Sequence, residues 1–125
     1  MSKAELLART KSFSLRILKL VDQLPRTTSG RAIGNQLVRS GTSIGANYRA
    51  ACRSRSRAEF AAKLGVVAEE ADETVYWLEL VCDGNLIPAN KLTELLREAD
   101  ELTAIFTAGR RTSSKNQTSK IKPQT

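Results

Sequence analysis

Arginines recur through one stretch of this chain, RAIGNQLVRSGTSIGANYRAACRSRSRAEF at residues 31–60, as Arg31, Arg39, Arg49, Arg53, Arg55 and Arg57. A guanidinium presents a planar fork of donors that matches phosphate or carboxylate oxygens two at a time. Carboxylates form the second chemical group: Glu69, Glu70 and Glu73, then Glu98 and Glu101. Clustered carboxylates can hold magnesium between a protein and phosphate groups. The chain has no histidine, so the usual general base and commonest metal ligand is missing. Cys52 and Cys82 are too few and too far apart for a disulfide framework or a zinc site, and read as reduced small apolar side chains. No Gly-rich phosphate loop follows a strand, and no Ser or Cys nucleophile has a base to activate it. The sequence calls for no metal and no cofactor.

Helices must position these groups. Within the arginine-rich stretch, Ile33, Leu37, Ile44, Tyr48 and Ala51 fall at spacings of three and four, one face of a helix. At about 100° per residue, Arg31, Asn35, Arg39, Thr42, Ala46, Arg49 and Arg53 point the other way. Gly34, Gly41 and Gly45 interrupt the pattern, each costing about 1 kcal/mol against Ala in a helix interior. Close approach by a neighbouring helix is the compensation expected. A first helix is expected from about Lys3 to Leu24, with Leu6, Phe13, Ile17, Leu20 and Leu24 inward and Pro25 as its stop. Thr28 or Ser29 then caps the second helix, which runs to about Arg53. Ser56 and Glu59 form a capping-box pattern that opens a third helix near Arg57, ending at Gly84 and Asn85. A fourth begins near Pro88, turns Leu92, Leu95, Ala99, Leu102 and Ile105 inward, and fades near Gly109. The fold expected is all-α: an antiparallel up-down-up-down four-helix bundle over residues 1–110, with a disordered basic tail at 111–125.

The 125 residues suit one domain, and a hydrophobic share of 41% with only 5% aromatic suits helices packed through aliphatic side chains. No apolar run approaches the roughly 18 residues that would span a bilayer, so no membrane partner is expected. The first residues lack the apolar core of a signal peptide, which predicts a cytoplasmic protein. The net charge of +7 is unevenly spread. Residues 1–57 hold twelve Lys/Arg against two acids, a balance of +10, and residues 58–109 hold three against eleven, a balance of −8. Such asymmetry fits an anionic partner, a complementary second copy, or both.

The third helix carries two apolar stripes. Phe60, Leu64, Val67, Ala71, Val75 and Leu78 face the core, and Ala62, Val66, Tyr76, Trp77 and Leu80 lie about opposite, with Glu69 and Glu73 among them. A bundle covers only the first stripe, so the second is expected to meet another chain. Glu69, Glu73, Tyr76 and Trp77 of one subunit against Arg39 of the next would be a heterologous contact, which closes into a ring.

The run RSGTSIGAN at 39–47, then Ser56, Glu59–Phe60, Lys63–Leu64, Glu70–Ala71, Glu73 and Tyr76–Trp77–Leu78, closely resembles a bacterial four-helix-bundle family. That family includes the protein encoded in the intervening sequence of large-subunit ribosomal RNA, and is similar to the accessory variability protein of diversity-generating retroelements. The resemblance spans about Ser12 to Ile105. It implies two antiparallel helix hairpins, assembly as a homopentameric ring, and a role in binding structured RNA. Arg49, Ala50 and Cys52 depart from the family pattern and make the second helix more basic. The tail lies outside the resemblance.

Two functions from different classes follow. One is a non-catalytic oligomer that binds RNA through Arg49, Arg53, Arg55 and Arg57, helped by Arg110 and Arg111 in the tail. With few aromatics for base stacking, it would read backbone and shape. A plain protein-interaction ring, its arginines all used between subunits, is the bland form of the same reading. The other is a magnesium-dependent hydrolase, because Glu69-Glu70-x-x-Glu73 with Glu98 and Glu101 resembles the EExxE and ExxD sites of all-α nucleotide pyrophosphohydrolases. Against it, Glu69 and Glu73 share a face with Trp77 rather than a pocket, and the second motif has Glu where Asp is expected.

Overall fold

The computed structural model describes the backbone of residues 1–121 and the side chains of residues 1–114. Among these, four α-helices appear: α1 (Lys3–Val21), α2 (Thr28–Ala51), α3 (Arg57–Asp83) and α4 (Thr93–Ile121), with a 3₁₀ turn at Ala89–Lys91 before α4. Short links make successive helices antiparallel neighbours, the four-helix bundle the periodicity predicts. Packing follows chain order: α1 lies along α2, α2 along α3 and α3 along α4, while α1 and α4 touch only briefly.

The helix ends show their chemistry. α1 stops at Val21 rather than Leu24, with Asp22 as its C-cap, while Pro25 bars helical geometry from Leu24 alone. The chain leaves through two tight bonds, Gln23 N–H to Leu20 O and Leu24 N–H to Val21 O. The cap of α2 is Thr27, one residue earlier than expected, its Oγ1 accepting from Gly30 N at 3.1 Å. Ser56 caps α3 as predicted, its Oγ accepting from Glu59 N at 3.1 Å. Glu59 reaches back one residue beyond the cap, to Arg55 N at 3.0 Å. At the far end Asn85, not Gly84, takes the left-handed conformation, with φ of 57°. Leu86 N then bonds Val81 O and Asn85 N bonds Cys82 O, the paired closure of a Schellman motif. α4 does not fade at Gly109. The tail expected to be disordered from residue 111 has a helical backbone as far as Ile121, and residues 122–125 lie outside the described residues.

Phe13, Ile17, Leu37, Ile44, Leu64, Val67, Leu78 and Leu102 form the core as their spacing predicts. Phe60 packs on its edge and is only half-buried. On α4 the inward residue after Leu102 is Phe106, 1% exposed, rather than Ile105. Its ring meets Tyr48 with centroids 5.2 Å apart. The glycines of α2 have the compensation expected of them. A Cβ on Gly41 would lie 2.9 Å from Ile17 Cγ1, one on Gly34 3.2 Å from Leu24 Cδ1, and one on Gly45 3.3 Å from Thr10 Oγ1. Those hydrogens let α1 lie close against α2.

Candidate nucleic-acid interface

The glycines that draw α1 and α2 together also leave a groove. Gly45 and Ala46 offer no bulk to fill it, so Leu7, Ser14 and Cys52 are left as its apolar and small floor. Lys3 and Lys11 from α1 and Arg49 and Arg53 from α2 stand along it, around a volume of about 560 Å³. No carboxylate is among its described lining residues. Cys52 is shared with a second hollow of about 340 Å³ in the turn from α2 to α3, where Arg55, Arg57, Ser54 and Phe60 gather. Ser54 Oγ is buried there with no hydrogen-bond partner among the described residues. Arg49, Arg53, Arg55 and Arg57 are all exposed, and among the described residues none makes an ion pair. The structure thus brings these four arginines to one end of the bundle and adds Lys3 and Lys11, which the helical pattern of α2 alone could not reveal. Arg110 and Arg111 are exposed on α4. Arg110 lies across Gly65 of α3, where a Cβ would come within 3.1 Å of its Nε. Gly65 is eight residues beyond Arg57, roughly 12 Å along the helix, so Arg110 stands apart from the four.

Arg39 is placed differently. It pairs with Glu70 at 3.2 Å and with Glu73, both in its own chain. The buried hydroxyls of Ser40 and Thr74 meet at 2.9 Å one residue further along. That contact sets α2 and α3 level, so Arg39 and Glu73 face each other across the seam. The Arg39–Glu73 contact expected between subunits is therefore closed within one chain. Trp77 Nε1 donates to Glu73 Oε1 at 3.2 Å, and the Tyr76 ring stands edge-on to Trp77 with centroids 5.2 Å apart. Glu69 remains exposed, with Val66 and Tyr76 41% and 54% exposed.

The remaining carboxylates of the possible magnesium site are engaged as well. Arg9 donates from Nε to Glu98 at 2.7 Å, and from one terminal nitrogen to Glu98 and Glu101 at 2.5 Å each. The hydrogen bond to Glu98 raises the Arg9 pKa further above its ordinary value, so this guanidinium never loses its charge. The EExxE-like and ExxD-like pairs are thus tied to two different arginines, and among the described residues no cluster of three metal-ligating side chains forms. Sequence reading missed Arg9 because its partners lie 89 and 92 residues away. Near the first groove, burial foremost and the Cys52 thiol second push Tyr48 up to about 12. In the turn, the Arg55 backbone N–H foremost and Lys63 second hold Glu59 below the usual glutamate range.

Residues 2–108 match the 23S rRNA-intervening sequence protein family. The chain belongs to that family. A crystal structure of a protein of unknown function from the S23 ribosomal protein family of Bacteroides thetaiotaomicron is similar, with 32% identity and a TM-score of 0.81, over 89% of this chain and 99% of that one. No curated protein matches. The family match contains α1, α2, α3 and the first part of α4, the groove between α1 and α2, and Arg55 and Arg57. It stops short of Arg110 and Arg111. Among the described residues, no helix is long and apolar enough to cross a membrane.

Proposed function

We propose that this protein is a non-catalytic, oligomeric RNA-binding protein of the cytoplasm that holds structured RNA by its backbone. The observation that carries the reading is the gathering of Lys3, Lys11, Arg49, Arg53, Arg55 and Arg57 at one end of the bundle, with no ion pair to occupy them among the described residues. Guanidinium forks and ammonium groups around an open groove match phosphate oxygens. No aromatic side chain lines the groove and only the half-buried Phe60 borders the hollow at the turn, so base stacking would be scant and sequence read weakly. The engagement of Glu70, Glu73, Glu98 and Glu101 by arginines speaks against the magnesium-dependent hydrolase. Changing Arg55 and Arg57 together to Ser should lower affinity for structured RNA at every sequence tested and flatten the salt slope by up to about two units. An affinity and salt slope equal to those of the unchanged protein would leave only a protein-interaction role.

A ring of identical subunits is the second part of the proposal, a pentamer by family resemblance. Its support is the exposed stripe of Val66, Glu69 and Tyr76 on α3, an acidic and apolar face with no partner helix in its own bundle. Repeating the basic end once per subunit would raise avidity without a strong single site.

A further inference from the structure

The brief contact between α1 and α4 opens a second basic groove, on the other side of α1 from the first. Its floor is Leu20 and Leu95, and it encloses about 750 Å³. Arg16 and Lys19 of α1 form one wall, Lys91 of the 3₁₀ turn and Arg97 of α4 the other. Glu94 is the single carboxylate among its described lining residues, and among the described residues none of these cations makes an ion pair. The Arg9 end of the same seam holds two glutamates for one arginine, so the contrast lies along a single helix pair. Cations from three elements converging on one cleft repel one another, and their field is concentrated between low-dielectric walls until an anion enters.

The two grooves are related through α1. Residues 3, 7, 11 and 14 border the first and residues 16, 19 and 23 the second. At 100° per residue these sets lie on opposite flanks of the helix, their centres on the order of 15 Å apart along the axis. The ridge between them presents exposed Ala4, Ala8, Leu15 and Leu18, with Lys11 of the first groove standing among them. A helix whose crest is mostly apolar and carries no acid, with a cation-lined trough on each flank, is complementary to two antiparallel phosphate backbones with a shallow groove between them. A-form RNA has that shape on its minor-groove side, where sugar hydroxyls and base edges face outward.

We infer that the second groove is a phosphate-backbone site and that α1 lies across the minor groove of double-stranded RNA, one strand in each trough. The inference rests on the RNA reading above and narrows it from structured RNA to duplex. The test compares an RNA hairpin with an unstructured single strand of equal length, for the unchanged protein and for a variant carrying Arg16→Ser, Lys19→Ser, Lys91→Ser and Arg97→Ser, with helicity checked by circular dichroism. The hairpin should bind the unchanged protein more tightly. The variant should lose hairpin affinity by about tenfold or more and flatten its salt slope by about three units, while single-strand affinity changes less than about twofold. Hairpin binding unaltered in this variant, yet weakened by Arg55→Ser with Arg57→Ser, would overturn the second groove and leave RNA binding standing. Equal losses on hairpin and single strand would overturn the duplex reading. Failure of the unchanged protein to bind either RNA would remove both.

Discussion

Gly41 sits mid-helix where a methyl group would lie 2.9 Å from Ile17 Cγ1 and 3.0 Å from its Cγ2. Helix propensity alone would favour alanine there by about 1 kcal/mol. The two branches of Ile17, fully buried, cannot both give way. Gly41→Ala should therefore destabilise the protein by about 1–3 kcal/mol, read as a lower urea midpoint at unchanged m-value. Gly45→Ala, whose nearest atoms start at 3.3 Å, should cost less. That glycines in α2 mark a close neighbour was legible from their spacing. Which arginine has a partner was not. Periodicity assigns a residue to a face but says nothing about the level at which a second helix passes it. Arg39 and Arg49 looked alike in the sequence, and only the registry fixed by Ser40 and Thr74 separates them.

At the scale of the helix, ends were more legible when a side chain makes them. The Ser56–Glu59 pattern located the start of α3 to the residue, because both hydrogen bonds come from local sequence. α4 was less legible. A glycine at 109 reads as a stop, yet the helix continues through it, and a Cβ there would meet Leu64 Cδ1 at an ordinary 3.5 Å. The inward side chain also moved from Ile105 to Phe106, since steps of four and three from Leu95 fit either residue and only the Tyr48 ring opposite selects the aromatic. The α3 cap makes a pH prediction. The folded state holds Glu59 below its ordinary value of 4.5, favouring the carboxylate. Its contribution is therefore complete above the unfolded value and is lost as pH falls from about 4.5 through the lower folded value. Glu59→Gln keeps an acceptor for the Arg55 N–H but cannot titrate. Denaturation curves from neutral pH to below pH 4 (roughly the carboxylate range) should show the unchanged protein losing ground relative to this variant.

Over the whole molecule, the outer face of α3 is the acidic, apolar surface that the bundle leaves uncovered. Replacing Val66 and Tyr76 together with Ser removes apolar contact there without touching the core, both side chains being more than 40% exposed. The expected outcome is unchanged helicity with a smaller particle mass by light scattering. A mass equal to that of the unchanged protein would mean that this face carries no contact between copies. Reversing Glu73 would not isolate such a contact, since that carboxylate serves Arg39 and Trp77 in its own chain.

The order in which the helices pack also governs how fast the chain can find its fold. Each broad interface joins helices consecutive in the chain, so little loop entropy is spent before contacts form, and folding should be rapid for a protein of this length. Closing α1 onto α4 is the exception. It spans nearly the whole chain and rests on the half-buried Arg9 with Glu98 and Glu101, a contact expected to form after the transition state. Arg9→Ala should then lower stability by about 1–3 kcal/mol, almost all of it as faster unfolding, with the refolding limb of the chevron unmoved. A slowed refolding limb would mean that the two ends of the chain meet early.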